Sequence, residues 1–387
     1  MIPYGKQSIS SKDIDAVVSV LKSDWLTQGS VVPEFEQAVA HYCAADYAYA
    51  VSHGSAALHL ACRALSIGAG DWVWTSPNSF VASANCVLYC GAKIDFVDID
   101  PYTYNLSVKE LQKKLLTAER EGKLPKALIA VHFAGQSCDM QAIRSLSEQY
   151  GFYIIEDAAH AVGGSYLDSK VGSCAYADIA IFSFHPVKII TTGEGGMLLT
   201  NNKKWADKIE LLRSHGITRD SSLMLEQTPG DWYYEQIELG YNYRMTDFQA
   251  ALGLSQLQEL DRFIRRRTEI ASFYQQHLAD LPLSLPVLEN FACSSWHLYV
   301  IRLNLKEIKV TRKQVFEQLR ESGIGVHVHY IPVHTQPYYC RLGFNRGDFP
   351  EAELYYREVI SLPVFYTLSN EDLIYIVKQL RALLLSD

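Results

Sequence analysis

A carboxylate and a lysine each stand at the end of an apolar run in this chain. One run, which starts at Phe152, leads into Asp157; a second, which ends at Phe184, leads to Lys188, 31 positions after Asp157. A glycine-rich turn, 191–196, follows the lysine at once. A lysine amine forms Schiff bases, and an aspartate beside a pyridine nitrogen keeps that ring protonated. The pair is therefore the smallest set that could hold pyridoxal 5'-phosphate.

A phosphate site is predicted where an apolar run ends and a helical pattern begins. Gly54 permits a tight turn there, and the amides of Ser55 and Ala56 would face outward at the positive end of the helix. Ser183, at the end of the run before Lys188, could add a hydroxyl group. Taken alone, such a turn more often only caps a helix, and Ser183 is equally well a strand-end serine. Their order along the chain favours the phosphate interpretation.

Three further residues have a functional and a structural interpretation. Asp157 could hold the ring nitrogen or cap a helix. His160 could orient the ring or be a partly buried structural histidine. Phe80 could stack on the ring or belong to the core. Lys188 is clearer, because its apolar neighbours would lower the pKa of the amine and favour imine formation.

The elements that must position these residues follow from the hydrophobic pattern. Short apolar runs alternate with helical patterns as far as about residue 200, which predicts an α/β fold with a mainly parallel sheet between helices. The ligand site is then expected at the carboxyl ends of the strands. We predict a large cofactor-binding domain over 1–260. A connecting helix and a small C-terminal α+β domain are predicted over 261–387.

Several local features are predicted as well. Pro33 should begin a helix at its first position, and one long helical pattern covers roughly 248–280. The basic turn 265–267 is expected on the exposed face of that helix. The segment 325–330 has the alternation of a strand.

Composition limits the function classes. The 387 residues are 48% apolar and 20% charged, with a formal net charge of −8, which is typical of a globular protein and argues against nucleic-acid binding. No apolar run approaches the roughly 18 residues of a membrane span, and the first residues do not resemble a signal peptide. We therefore expect a cytoplasmic protein. Eight cysteines without a C-x-x-C spacing favour reduced thiols over a zinc or disulfide framework.

Five motifs in order resemble those of the DegT/StrS-type nucleotide-sugar aminotransferases, which have the fold-type-I pyridoxal phosphate fold. The motifs are 51–58, 77–82, 155–160, 183–188 and 240–245. The resemblance implies that Lys188 binds the cofactor as a Schiff base, that Asp157 contacts the ring nitrogen, and that His160 and Phe80 lie against the ring. The residues implied around the phosphate are Gly54, Ser55, Ala56, Ser183 and Asn242. Asn242 would reach the phosphate of the neighbouring subunit, which implies a homodimer with a shared active site.

Within this family the likeness is to enzymes of pseudaminic acid biosynthesis. It implies that glutamate donates an amino group to the C4 ketone of a UDP-linked 4-keto-6-deoxy-N-acetylhexosamine. The residues implied to contact the substrate are Tyr4, Trp25, Leu26, Thr27, Ser55, Ser183, Asn242, His327, Val328, His329 and Tyr330.

Other functions stay open. The first is amination of another nucleotide-linked keto sugar, at C3 or C4. A sugar dehydratase on the same scaffold is disfavoured, because such relatives carry histidine at the position of Lys188. A non-catalytic cofactor-binding regulator would need a partner module that the chain does not supply. His327, His329 and His334 could be metal ligands, but no cysteine or acid completes the set at ligand spacing, so no metal is expected.

Overall fold

A central sheet of seven strands organises the molecule. The structure is a computed structural model that describes residues 1–226 and 229–385. The strands are β1 (Tyr47–Val51), β2 (Trp72–Thr75), β3 (Lys93–Phe96), β4 (Ala127–Val131), β5 (Tyr153–Asp157), β6 (Ser165–Tyr166), β7 (Ser169–Lys170), β8 (Ile179–Ser183), β9 (Gly196–Thr200), β10 (Ile217–Thr218), β11 (Glu235–Gln236), β12 (Leu283–Ser284), β13 (Ala292–Cys293), β14 (Tyr299–Leu303) and β15 (Val359–Leu362). The seven-stranded sheet has the order β1-β9-β8-β5-β4-β2-β3.

The helices surround this sheet and the smaller ones. They are α1 (Ser11–Leu21), α2 (Val31–Cys43), α3 (Gly54–Ala64), α4 (Ala82–Tyr89), α5 (Val108–Glu121), α6 (Met140–Tyr150), α7 (Lys203–Arg213), α8 (Asp247–Leu257), α9 (Leu260–Leu278), α10 (Arg312–Glu321), α11 (Pro337–Cys340), α12 (Pro350–Glu358) and α13 (Asn370–Leu384). Among the described helices, none combines the length and the apolar character that crossing a membrane would require.

Strand direction decides where side chains can meet. The pairs β8–β5, β5–β4, β4–β2 and β2–β3 are parallel, whereas β9 runs antiparallel to both β1 and β8. The register sets Gly196, the first residue of β9, opposite both Val51 and Ser183. The carboxyl ends of β1, β5 and β8 and the start of β9 therefore share one edge of the sheet.

Both faces of the sheet are buried, which is why its strands read as continuous apolar runs. Alternate residues of β5 enter different clusters: Ile155 packs with α3 and α4 on one face, and Ile154 with α5 and α6 on the other. Ile181 and Phe182 of β8 divide in the same way. The predicted α/β class with helices on both faces is confirmed.

The C-terminal part has a core of its own. β14 pairs antiparallel with β12 and β15, and a separate apolar cluster joins α9, α10, α13 and these strands. The domain boundary at 260/261 stays a prediction.

Two helix predictions need correction. The first concerns Pro33, which is the third residue of α2 and not the first, because the Asp247 carboxylate accepts from the amides of Val31 and Val32 and lets the helix begin earlier. The second concerns the pattern over 248–280, which forms two helices, α8 and α9. These helices have different packing partners, since α8 contacts α1 and α2 while α9 contacts α13.

At the basic turn Arg265 is exposed as predicted but Arg267 is not, and the strand expected near 325 does not form. Arg267 is only 2% exposed, because its guanidinium donates to the carbonyls of Trp296, His297 and Val364. The segment 325–330 forms no strand, and its one bridge lies between His327 and Ser361. The segment then continues without regular structure, and the Tyr330 amide donates to Asn78, which follows β2 of the large sheet.

Candidate active site

Two neighbouring parallel strands end in polar residues at the shared edge. Asp157 is the last residue of β5 and Ser183 the last of β8. Lys188 lies five residues beyond β8, in a turn whose chain returns to the same edge, because the Phe184 amide donates to the carbonyl of Gly195. The structure therefore brings the predicted aspartate, serine and lysine together.

The environment of Lys188 favours its neutral amine. Desolvation lowers the pKa of Lys188 to about 8, against an opposing attraction from the Asp157 carboxylate. Among the described residues no carboxylate lies within ion-pair distance of the lysine nitrogen, so this attraction acts without a direct contact. A lysine with a pKa near neutrality can act as a nucleophile and exchange a proton.

Asp157 is fixed by two short-range donors. Its Oδ2 accepts from the hydroxyl of Ser83 at 2.7 Å, and its Oδ1 accepts from the amide of Ala159 at 3.2 Å. Burial raises the pKa of the Asp157 carboxyl, while the Ser83 and Ala159 hydrogen bonds and the charge of Lys188 act in the opposite direction. The residues directly after Asp157 do not form a helix, so the helix-cap interpretation is wrong.

The predicted phosphate turn forms a narrow cradle between α3 and β8. A Cβ atom on Gly54 would lie 3.0 Å from Cβ and 3.2 Å from Oγ of Ser183, so only glycine leaves this space open. The amide of Ala56 does not face outward as expected, because it donates to His53 Nδ1 at 2.8 Å. The amides of Gly54 and Ser55 have no hydrogen-bond partner in the described chain. Of the predicted phosphate-binding groups at this turn, the amides of Gly54 and Ser55 and the Ser183 hydroxyl are therefore free to meet an anion, whereas the Ala56 amide is occupied.

Aromatic residues border the cluster. Phe80 is 59% exposed, so it does not belong to the core, and its ring centroid lies 6.3 Å from that of Tyr330. The Tyr330 hydroxyl is hydrogen-bonded to His160 Nε2 at 3.1 Å. The His160 ring is buried, its Nδ1 has no partner among the described residues, and its ring centroid is 4.4 Å from that of His297.

The histidines near Lys188 are held neutral. Desolvation lowers the pKa of both His160 and His297 well below the usual value, and the charge of Lys188 lowers both further. Desolvation, assisted by the His327 and Lys188 charges, lowers the pKa of His329 to about 3. Three neutral imidazoles therefore lie near Lys188, whose own pKa is closer to neutral pH than theirs.

The C-terminal segment reaches the cluster through long-range hydrogen bonds. His329 Nδ1 is hydrogen-bonded to the Ser361 hydroxyl at 2.8 Å, and the His329 carbonyl accepts from the Tyr355 hydroxyl. The Tyr330 amide donates to Asn78 Oδ1 at 3.3 Å. The ring of Tyr4 lies 5.4 Å from both His327 and His329, so the first residues of the chain join this segment. Val328, between the two histidines, is half-buried.

The remaining predicted substrate residues lie elsewhere in the chain. Trp25, Leu26 and Thr27 are exposed, and Thr27 forms a bridge with Thr246. Asn242 is also exposed and forms a bridge with Ser214. Within the described residues, none of these side chains is hydrogen-bonded to Asp157, Ser183 or Lys188. Their place in an active site depends on the predicted second subunit.

The histidines considered as metal ligands do not gather. His327 and His329 have ring centroids 4.6 Å apart, but His334 is buried elsewhere and its Nε2 contacts Glu353 Oε1 at 3.0 Å. Residues 1–226 and 229–385 contain no group of three or more histidine, cysteine or acidic side chains arranged to hold a metal ion.

Four residues near the site were not predicted from the sequence. They are His53, which caps α3; Ser83, which holds Asp157; His297, which packs on His160; and Ser361, which holds His329. Ser83 directly follows the motif 77–82, and that position in the sequence could have indicated it. His297 and Ser361 are distant in sequence from their partners and gave no local signal.

A desolvated lysine and a buried aspartate at the carboxyl edge of an α/β sheet are the arrangement expected of an enzyme that forms Schiff bases. The sequence model of the DegT/DnrJ/EryC1/StrS aminotransferase family matches residues 7–381. The chain belongs to this family, and the expectation of a nucleotide-sugar transaminase is confirmed at that level.

Individual relatives cover almost the whole chain. The spore coat polysaccharide biosynthesis protein SpsC of Bacillus subtilis is 40% identical over 383 residues, which are 98% of this chain and 96% of that protein. A UDP-4-amino-4,6-dideoxy-N-acetyl-beta-L-altrosamine transaminase of Campylobacter jejuni is 38% identical over 373 residues, 96% and 94% of the two chains. The solved structure of Helicobacter pylori PseC, an aminotransferase involved in the biosynthesis of pseudoaminic acid, superimposes with a TM-score of 0.90 at 31% identity and full coverage of both chains.

Proposed function

We propose that this enzyme uses pyridoxal 5'-phosphate to move an amino group from glutamate to the C4 ketone of a UDP-linked 4-keto-6-deoxy-N-acetylhexosamine. The observation that carries the proposal is Lys188, desolvated beside Asp157 at the carboxyl edge of the sheet. The Campylobacter jejuni and Helicobacter pylori relatives support the choice of substrate. The SpsC relative, at similar identity, keeps another nucleotide-linked keto sugar as the alternative.

The residues present fit this cofactor. The missing side chain of Gly54 lets this turn approach Ser183 closely, so that the Ser55 amide and the Ser183 hydroxyl could donate to one phosphate group. Asp157 would accept a hydrogen bond from the protonated ring nitrogen, and Phe80 and His160 would lie against the ring. When bound, the cofactor supplies an electron sink for a carbanion at the substrate carbon.

Lys188 would act first as the nucleophile that holds the cofactor and then as the base that moves a proton. A pKa of about 8 leaves it able to accept and release a proton near neutral pH. The neutral His160, His297 and His329 around it do not compete for that proton in this pH range. We therefore propose Lys188 as the group that transfers the proton.

The substrate would be held by residues from two regions. Tyr4 and 327–330 come from the C-terminal side of the site, and Ser55 and Ser183 from the sheet edge. Trp25, Leu26, Thr27 and Asn242 would complete the site in a homodimer, where Asn242 reaches the phosphate bound by the partner subunit. A homodimer and a cytoplasmic location stay predictions.

The test offers purified enzyme glutamate together with a panel of UDP- and TDP-linked 3-keto and 4-keto sugars, and mass spectrometry identifies the aminated product. We expect amination of the UDP-linked 4-keto-6-deoxy-N-acetylhexosamine and formation of 2-oxoglutarate in equal amount. Preference for a TDP-linked or a 3-keto sugar would contradict the substrate assignment. Retention of bound pyridoxal phosphate without turnover of any sugar would favour the non-catalytic regulator.

A further inference from the structure

Ser83 makes the side-chain hydrogen bond that holds the buried Asp157 carboxylate. Its hydroxyl oxygen lies 2.7 Å from Asp157 Oδ2, and Ser83 and Asp157 are 2% and 4% exposed. Ser83 belongs to α4 and Asp157 ends β5, so the bond crosses from a helix to the sheet edge over 74 positions of sequence. A contact of this length and burial between separate elements fixes the carboxylate in one orientation.

Asp157 has few other partners in the described chain. The Ala159 amide donates to Oδ1 at 3.2 Å, and no lysine, arginine or histidine lies within 4.0 Å of either oxygen. A carboxylate buried without an ion pair is costly to keep charged, since desolvation favours its neutral form. The Ser83 hydroxyl opposes this effect, because a hydroxyl that donates to a carboxylate stabilises the charged state.

The charged state of Asp157 is the one that the proposed function needs. A carboxylate accepts a hydrogen bond from a protonated ring nitrogen, whereas a protonated carboxyl group has lost that capacity on one oxygen. Each Asp157 oxygen has two acceptor positions, of which Ser83 and Ala159 occupy one on each. The Asp157 carboxylate can therefore accept a hydrogen bond from the ring nitrogen without losing either existing hydrogen bond.

We propose that Ser83 is a positioning residue of the cofactor site, which orients Asp157 and keeps it ionised for the ring nitrogen of pyridoxal phosphate. The inference rests on the proposed function, because it takes the role of Asp157 as given. Ser83 does not itself contact the cofactor; it acts through the carboxylate.

The test compares Ser83→Ala with Ser83→Thr and with Ser147→Ala. Ser147 is a matched control, since it is also buried in a helix and its hydroxyl donates to a carbonyl, that of Phe152, away from the site. Titration of each cofactor-free protein with pyridoxal phosphate, followed by absorbance, gives a dissociation constant. We expect about a tenfold weaker affinity for Ser83→Ala, recovery in Ser83→Thr, and no change in Ser147→Ala.

A pH series separates charge stabilisation from simple packing. Loss of the Ser83 hydroxyl raises the pKa of Asp157, so the affinity of Ser83→Ala should begin to fall at a higher pH than that of the wild type as the solution is acidified. A double-mutant cycle adds a second check: in an Asp157→Asn background, Ser83→Ala should have almost no further effect on affinity.

The outcomes are distinct for the two proposals. A wild-type protein that does not bind pyridoxal phosphate would overturn the proposed function. Wild-type binding with the same affinity and pH profile in Ser83→Ala would overturn only the role of Ser83. An equal loss in Ser147→Ala, or an additive loss in the Asp157→Asn background, would show a structural effect and would also overturn that role.

Discussion

The two sides of the candidate site are built in different ways. On one side, Asp157, Ser183 and Lys188 lie at or just beyond the ends of neighbouring strands of one sheet. On the other side, the segment 327–330 is not part of a strand ladder. Separate hydrogen bonds with Asn78, Tyr355 and Ser361 position it. The first side obtains its geometry from strand pairing and the second from individual long-range hydrogen bonds.

This difference suggests a division of labour. A sheet edge holds reacting groups rigidly, because each strand is fixed by a ladder on both sides. An irregular segment held by a few side chains can vary with little effect on that edge. We therefore expect changes at the sheet edge to affect chemistry and cofactor binding, and changes around 327–330 to affect the sugar nucleotide.

The largest effect is expected for Lys188→Arg. Arginine keeps the positive charge but cannot serve as the nucleophile or accept a proton near neutral pH, so transamination should fall by about a thousandfold or more. Initial rates with glutamate and the preferred sugar measure the loss, while thermal unfolding checks the fold. Lys203→Arg is the matched control, since Lys203 is an exposed lysine paired with Asp207. Full turnover in Lys188→Arg would show that the reaction does not take place at the sheet edge.

The next effect is a loss of cofactor affinity in Asp157→Asn. Replacement of the carboxylate removes a charge-assisted hydrogen bond to the ring nitrogen, which should weaken pyridoxal phosphate binding by about 10- to 100-fold. Asp178→Asn is the control, because burial raises the pKa of Asp178 as well and it also accepts from a backbone amide, at the other end of β8. Equal losses of cofactor in both variants would mean that buried aspartates act only through stability.

A smaller effect concerns the pH dependence of stability. Desolvation lowers the pKa of Lys188 from its usual 10.5 to about 8 in the folded protein, so between these values the unfolded chain binds more protons and stability rises with pH. Below pH 8 the folded protein bears the full cost of the charged lysine. Cofactor-free Lys188→Met should therefore be more stable than the wild type at pH 7, by about 1–3 kcal/mol.

Urea unfolding of the two cofactor-free proteins at pH 7 and pH 10 measures this difference. It should shrink as the pH rises from about 8 to 10, because the wild-type lysine becomes neutral in the folded state before it does so in the unfolded chain. A stability difference that is the same at both pH values would show that packing, and not charge, distinguishes the variant.

The smallest effect is expected on the other side of the site. Ser361→Ala removes the hydroxyl that is hydrogen-bonded to His329, and loss of one such bond should raise KM for the sugar nucleotide by about fivefold while kcat stays within twofold. The dissociation constant of pyridoxal phosphate serves as the internal control and should not change. If kcat or cofactor affinity fell by as large a factor as KM rose, the two sides of the site would not have the separate roles proposed above.

The sequence by itself determined the sheet edge. Apolar runs buried on both faces and the polar residues that end them are local patterns, so Asp157, Ser183, Lys188 and the Gly54 turn could be assigned before any contact was known. Parallel pairing then requires strand ends to meet at one edge. Helix starts with local caps depend on residues close in sequence, as in α1, where Ser10 and Asp13 form a capping box.

Only the tertiary structure decided the rest, because it depends on partners far apart in sequence. The segment 325–330 alternates like a strand, yet beyond the single bridge between His327 and Ser361 it bonds to Asn78 and Tyr355 and forms no ladder. Arg267 reads as an exposed basic residue until distant carbonyls surround it. Ser83 meets Asp157 across 74 positions. Local pattern fixes which residues end a strand, whereas the charge and orientation of those residues are set by groups that only the folded chain brings near.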